Sequence, residues 1–86
     1  MFYVYILKSL KDGKLYIGKT KNLRNRLELH NKKRIKSTKG RTPLTLIYYE
    51  AFINKTDWSK EELFLKSGVG KESLKYRLNK TLGGVA

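Results

Sequence analysis

Three stretches of the chain are dense in aromatic and β-branched residues, and three others repeat apolar positions every three to four residues. Residues 2–7 (FYVYIL), 15–19 (LYIGK) and 44–50 (LTLIYYE) read as strands, because such side chains fit a pleated, half-buried surface. The first two flank Lys11-Asp12-Gly13-Lys14, a tight-turn signal, so they form an N-terminal hairpin. After Thr20 and Asn22, either of which can cap a helix, residues 23–31 place Leu23 and Leu27 at i and i+4 on a core face. Thr56 or Asp57 can open a second helix over about 58–66, which Gly68 closes as the residue after the C-cap. Gly70 makes another break, and residues 71–79 form a last short helix with Leu74 and Leu78 facing the core. The order β-β-α-β-α-α predicts an α/β (α+β) fold, a small three-stranded, mostly antiparallel sheet flanked by helices. Residues 1–80 make one domain, and residues 81–86 are expected to fray.

Periodicity also says which side chains meet. A two-residue Asp12-Gly13 turn sets Lys11 opposite Lys14, Ser9 opposite Tyr16 and Tyr5 opposite Thr20. Alternation then puts Tyr5 and Tyr16 on one face of the sheet, together with Gly18, where a missing side chain admits a close approach. On the first helix, Arg26 and His30 flank the Leu23–Leu27 stripe on one side, whereas Arg24 and Glu28 lie away from it. On the second helix, Glu62 falls within the stripe of Trp58 and Leu65, and Glu61 sits nearer its edge. A carboxylate on an inward face needs a partner or a metal.

Charge narrows the function. The chain of 86 residues carries 20 Lys and Arg against 7 Asp and Glu, a net +13. That balance is the footprint of a polyanion binder, with nucleic acid the leading partner. The densest basic run, 32–41 (KKRIKSTKGR), reads as an exposed loop after the first helix. Lys32, Lys33, Arg34, Lys36, Lys39 and Arg41 in that run, with Lys19 and Lys66 outside it, are the positions expected to meet phosphates. There is no Cys, which excludes thiolate metal sites and thiol nucleophiles, and the single His30 excludes a multi-histidine metal site. No apolar run approaches the roughly 18–20 residues of a membrane span.

Together, Tyr3-Val4-Tyr5, Tyr16-Ile17-Gly18, Asn22-Leu23-x-x-Arg26-Leu27-x-x-His30-Asn31 and Glu61-Glu62-x-x-Leu65-Lys66-Ser67-Gly68 resemble the GIY-YIG nuclease superfamily. The likeness is to its small stand-alone bacterial branch, related to the N-terminal nuclease domain of the excinuclease C subunit, and it covers nearly the whole chain. The resemblance implies a metal-dependent DNA endonuclease that hydrolyses phosphodiesters with one divalent ion, Mg²⁺ or Mn²⁺. Carried over by position, Tyr5 and Tyr16 are the motif tyrosines, Arg26 the helix arginine and Glu62 the metal ligand. His30 matches a histidine that some members place near the scissile phosphate. Glu61 stands where the branch often has Arg, a change that lowers the positive charge beside Glu62.

The expected chemistry has one of the two tyrosines, Tyr5 by preference over Tyr16, as base toward a water, the other hydrogen-bonding phosphate or water, and Arg26 forking onto a phosphate. With no second domain to read a base sequence, recognition is expected to be structure-dependent or weakly sequence-specific, on duplex or branched DNA, in repair or recombination. RNA is a further possible partner, no membrane is involved, and the protein acts as a monomer or weak homodimer in the bacterial cytoplasm. The alternative is a nucleic-acid-binding module on a nuclease fold that grips without cutting; it predicts salt-sensitive binding without turnover.

Overall fold

A computed structural model of the chain describes residues 1–83. Its elements are β1 (Phe2–Ser9), β2 (Leu15–Thr20), α1 (Leu23–Asn31), β3 (Leu44–Phe52), α2 (Lys55–Lys66) and α3 (Gly68–Arg77). The strands form one antiparallel sheet in the order β2-β1-β3, so the most apolar strand lies in the centre. Element order and fold class match the sequence expectation.

The hairpin register differs from the two-residue turn by one pairing step. Tyr5 faces Gly18, Leu7 faces Tyr16 and Lys8 faces Leu15. The loop is four residues, closed by Ser9 N–H to Lys14 O (3.0 Å) and Gly13 N–H to Ser9 O (2.8 Å). Gly13 takes a positive φ of 72°, and the Ser9 hydroxyl accepts from the Lys11 and Asp12 amides, which fills the wider turn. Because the loop grew by an even number of residues, face parity survives, and Tyr5 still shares a face with Tyr16 and Gly18.

Alternation along β1 divides the core in two. Val4, Ile6 and Ile17 pack with Trp58, Leu65, Leu74 and Leu78 under α2 and α3. Tyr5, Leu7 and Leu44 pack with Tyr16, Leu23, Leu27 and Leu46 beneath α1. A bulge on β3, opposite Ile6 and Leu7, lets Ile47 and Tyr48 both reach the α2–α3 core. Trp58 is core, with its indole N–H donating to the Tyr3 carbonyl at 2.7 Å.

Three boundaries depart from the sequence reading. The α2 helix starts a turn early because Asn54 is its cap, accepting from the Thr56 and Asp57 amides. Gly68 does not end a helix: Ser67 closes α2 and also caps α3, accepting from Gly70 N–H at 3.1 Å. Gly70 is no break either; it is buried where α3 crosses the end of α2, and a Cβ there would lie 1.8 Å from the Phe64 carbonyl oxygen. Beyond α3 the turns continue, with Leu82 half-buried against the core; the rest of the expected fraying segment, 84–86, lies outside the described residues.

The basic segment after α1 is not a merely exposed loop. Lys33 adopts φ 61°, and the amides of Lys33 and Arg34 return to the carbonyls of His30 and Leu29, a helix stop normally given to glycine. The chain then folds back over the sheet and buries Thr38 completely. The Asn31 side chain brackets the start of β3, donating to Leu44 O at 3.0 Å and accepting from Leu44 N–H at 2.9 Å. The Ser9 hydroxyl donates to Arg41 O at 2.7 Å and pins the far end.

Candidate active site

The centre of the site is the Tyr5 phenol, fully buried on β1. Its ring crosses the backbone of Gly18, where a Cβ would sit 2.5 Å from both Cζ and the hydroxyl oxygen. Gly18 is therefore what allows a large side chain on the central strand to lie flat over its neighbour. The Tyr16 ring lies 6.4 Å from Tyr5, and the His30 ring meets both edge-on, at 5.7 Å and 5.1 Å.

A hydrogen-bonded line fixes these rings. The Tyr5 hydroxyl is 2.7 Å from His30 Nε2, and His30 Nδ1 is 2.6 Å from the Thr38 hydroxyl. Arg26 reaches in from α1 and donates Nε–H to the Tyr5 oxygen at 3.4 Å. Burial and the nearby Arg26 charge push the His30 pKa down to about 4, so the imidazole is neutral at pH 7. Burial also raises the Tyr5 pKa above its usual value; the Arg26 hydrogen bond opposes this, while Tyr16 and Glu62 add to it. The free protein thus keeps Tyr5 protonated.

Glu62 is inward-facing as its wheel position implies, only 7% exposed. Its partner is Lys66, one turn on, at 2.5 Å, rather than Arg26. Lys66 is thus tied to Glu62. Glu61 turns away from the tyrosines toward Arg77, at 3.5 Å, which also approaches Glu50 at 3.8 Å. There the Glu50 pKa rises to about 7 through burial and the neighbouring Glu61.

Of the expected phosphate contacts, Lys32, Lys33, Arg34, Lys36 and Lys39 project from the folded-back segment as exposed side chains. Arg41 turns back instead, its Nε 3.2 Å from Asp12 on the hairpin turn. Lys19 lies over the Trp58 ring at 4.8 Å, with Ser59 at 3.4 Å. His30 has no exposed surface, and both ring nitrogens are engaged, so its place is behind Tyr5 rather than against a phosphate. Thr38, which holds His30, was not legible among the lysines around it: nothing periodic marks one threonine in KKRIKSTKGR as buried.

A divalent ion fits this donor set in one way only. Among the described residues no three His, Asp or Glu side chains gather into a cage. A single inward carboxylate suits an ion that keeps waters and shares its shell with substrate phosphate, as Mg²⁺ does. Glu62 would hold it, with Lys66 released.

The chain resembles other proteins over nearly its full length. Residues 1–77 match the GIY-YIG catalytic domain. A UPF0213 protein of Clostridium perfringens is 40% identical over 83 residues, covering 95% of this chain and 88% of the relative. A second, from Oceanobacillus iheyensis, is 43% identical over 74 residues, 85% of each chain. The solution NMR structure of a UPF0213 protein from Bacillus halodurans has a TM-score of 0.56 and 37% identity, covering 90% of this chain and 85% of that one. Among the described residues, no helix is long and apolar enough to cross a membrane. With residues 1–77 matching the family's catalytic domain and relatives about 40% identical over most of both chains, the chain belongs to the GIY-YIG nuclease family, in its small stand-alone bacterial group.

Proposed function

We propose that this protein is a divalent-metal-dependent endonuclease that hydrolyses DNA phosphodiester bonds, with structure-dependent rather than base-sequence recognition, in bacterial DNA repair or recombination. The observation that supports it best is the cluster at Tyr5 of β1, where Tyr16 of β2 packs over Gly18 and Arg26 of α1 donates to the phenol, while Glu62 of α2 is turned inward.

Each residue has a part. Arg26 offers the rest of its guanidinium to a non-bridging phosphate oxygen while Nε–H stays on Tyr5. Tyr5 acts as base from its ionised form: it gives up its own proton to solvent before the attack and then takes the proton of the attacking water; that phenolate is stabilised by the Arg26 N–H and by His30 when the ring proton sits on Nε2, with the Thr38 hydroxyl donating to Nδ1. Tyr16, half-buried at the edge of the cluster, hydrogen-bonds phosphate or water. A divalent ion held by Glu62 would supply positive charge at the scissile phosphate and neutralise the leaving oxygen. His30 and Thr38 are positioning residues, since they act through the Tyr5 hydroxyl, Thr38 holding His30 and His30 holding Tyr5. The exposed lysines and arginine of 32–39 carry the phosphate backbone.

The test is cleavage of labelled duplex, nicked, flapped and branched DNA, and of RNA, with Mg²⁺, Mn²⁺ or EDTA. Metal-dependent cleavage, reduced at least ~100-fold in Glu62→Gln and in Tyr5→Phe, is the expected result. Tight binding with no turnover on any substrate in either metal would replace this reading by that of a binding module.

A further inference from the structure

We propose that a hollow on the far flank of α1, between Tyr3 and Tyr49, holds an unpaired nucleobase of the bound nucleic acid. The proposal rests on the nucleic-acid reading above and adds to it the class of substrate recognised.

Tyr3 and Tyr49 lie on the sheet face that carries Tyr5: Tyr3 is two residues away along β1, and Tyr49 is the β3 partner of Tyr5. Their rings are 6.1 Å apart and tilted by 59°. With Leu23, Arg24, Leu27 and Glu28 they line a hollow of about 430 Å³, toward the small end of the roughly 300–1,000 Å³ of ligand pockets. Tyr49 is 53% exposed, although the other face of β3 feeds the core.

The wall chemistry is that of a base slot. Two phenol rings offer π-faces, and Leu23 and Leu27 give an apolar floor. Arg24, exposed and without an ion-pair partner among the described residues, stands ready to fork onto a phosphate. The Glu28 carboxylate can accept from an exocyclic amine of adenine, cytosine or guanine. A base within a duplex is covered on both faces by its neighbours and has none to offer a tyrosine, so the occupant is an unpaired base.

Position ties the slot to the reaction. Arg26 and His30 lie on one flank of α1, and Arg24 and Glu28 on the other, with Leu23 and Leu27 beneath. A helix with its side chains is about 10–12 Å across, and stacked nucleotides advance about 3.4 Å each. The slot therefore receives a base about three nucleotides from the phosphate that Arg26 would hold. This domain can in this way select bulges, junctions or overhangs without reading sequence.

The test uses the whole protein in EDTA, so that nothing is cut, and two DNA duplexes, one fully paired and one with a single unpaired 2-aminopurine. The wild type should bind the bulged duplex about 5- to 150-fold more tightly and change the 2-aminopurine fluorescence, the range given by stacking of one base. Tyr49→Ala and Tyr3→Ala should lose the preference and the fluorescence change while keeping their affinity for paired duplex; Tyr49→Phe should retain both. Melting curves check that each variant is folded. Equal affinity of the wild type for both duplexes, or an undiminished preference in a folded Tyr49→Ala, would overturn this proposal alone. Failure to bind either duplex would overturn it together with the nucleic-acid reading.

Discussion

The phenol of Tyr5 packs against Gly18 so closely that one methyl group on Gly18 would sit 2.5 Å from its hydroxyl oxygen. Tyr5 is fully buried and held by His30 and Arg26, so it cannot swing aside without breaking those bonds. Gly18→Ala should destabilise the fold by about 1–3 kcal/mol, as overpacked sites do, and lower cleavage by ~100-fold or more through displacement of the hydroxyl. Gly68→Ala is the control: its Cβ meets nothing within 4 Å, and both stability and cleavage should be kept. Gly70→Ala should unfold the protein, because the clash is with backbone carbonyl. Thermal melts beside cleavage rates separate the three. Equal loss of activity in Gly68→Ala and Gly18→Ala would contradict the account.

Thr38 acts through His30. Thr38→Val preserves shape but leaves a buried imidazole nitrogen without its partner, a cost of about 1–3 kcal/mol. Thr38→Ser should restore most of it. If Thr38 matters only for packing, valine and serine will rank the other way. The pH profile of cleavage gives a second readout, since a loosened imidazole changes the setting of Tyr5.

Two groups, the buried His30 and the half-buried Glu50, pull stability in opposite directions with pH. The folded-state pKa of His30 is lowered from 6.5 to about 4, so its contribution is present above 6.5 and lost as pH falls toward 4. The size is about 3 kcal/mol at most, from the shift. Glu50 is raised from 4.5 to about 7, so its contribution is present below 4.5 and lost as pH rises through 7. Between 4.5 and 6.5 the two slopes oppose each other, and the wild type should show a nearly flat stability. Glu50→Gln removes the second slope: denaturant unfolding should find it stabilised relative to wild type at pH 8, by roughly 1–3 kcal/mol more than at pH 4.5. A pH-independent difference between the two proteins would refute the Glu50 assignment.

Arg26→Lys should not be a conservative change. Lysine keeps the charge but loses the fork that spans the Tyr5 oxygen and a phosphate. The expected loss in kcat is roughly 10²–10³-fold, with little change in melting temperature. Lys66→Gln tests the other ion pair. It frees Glu62 from its competitor, and half-maximal cleavage should need severalfold less Mg²⁺. A higher Mg²⁺ requirement would show that Lys66 assists the site instead.

The local chemistry of the chain determined a good deal by itself. Aromatic and β-branched runs placed all three strands, Asn22 and the Leu23–Leu27 spacing placed α1, and wheel position turned Glu62 inward. Period-two alternation put Tyr5, Tyr16 and Gly18 on one face even though the turn was misjudged, because parity depends only on whether a loop is odd or even. These are short-range properties, set by backbone sterics and the period of each element.

Tertiary structure alone decided the rest. Gly70 looks like a breaker in a string but is a contact point between two helices, since its lack of a side chain is used by Phe64 of the neighbouring helix. His30 looks like a helix-end histidine facing phosphate, yet becomes a buried neutral link once residues 32–43 fold over it. Thr38 and Asn31 gain their roles from partners eight and thirteen residues away, at distances no periodicity marks. Pairing between side chains far apart in sequence depends on how layers stack, and the polar residues that join those layers carry no repeating pattern from which to read them.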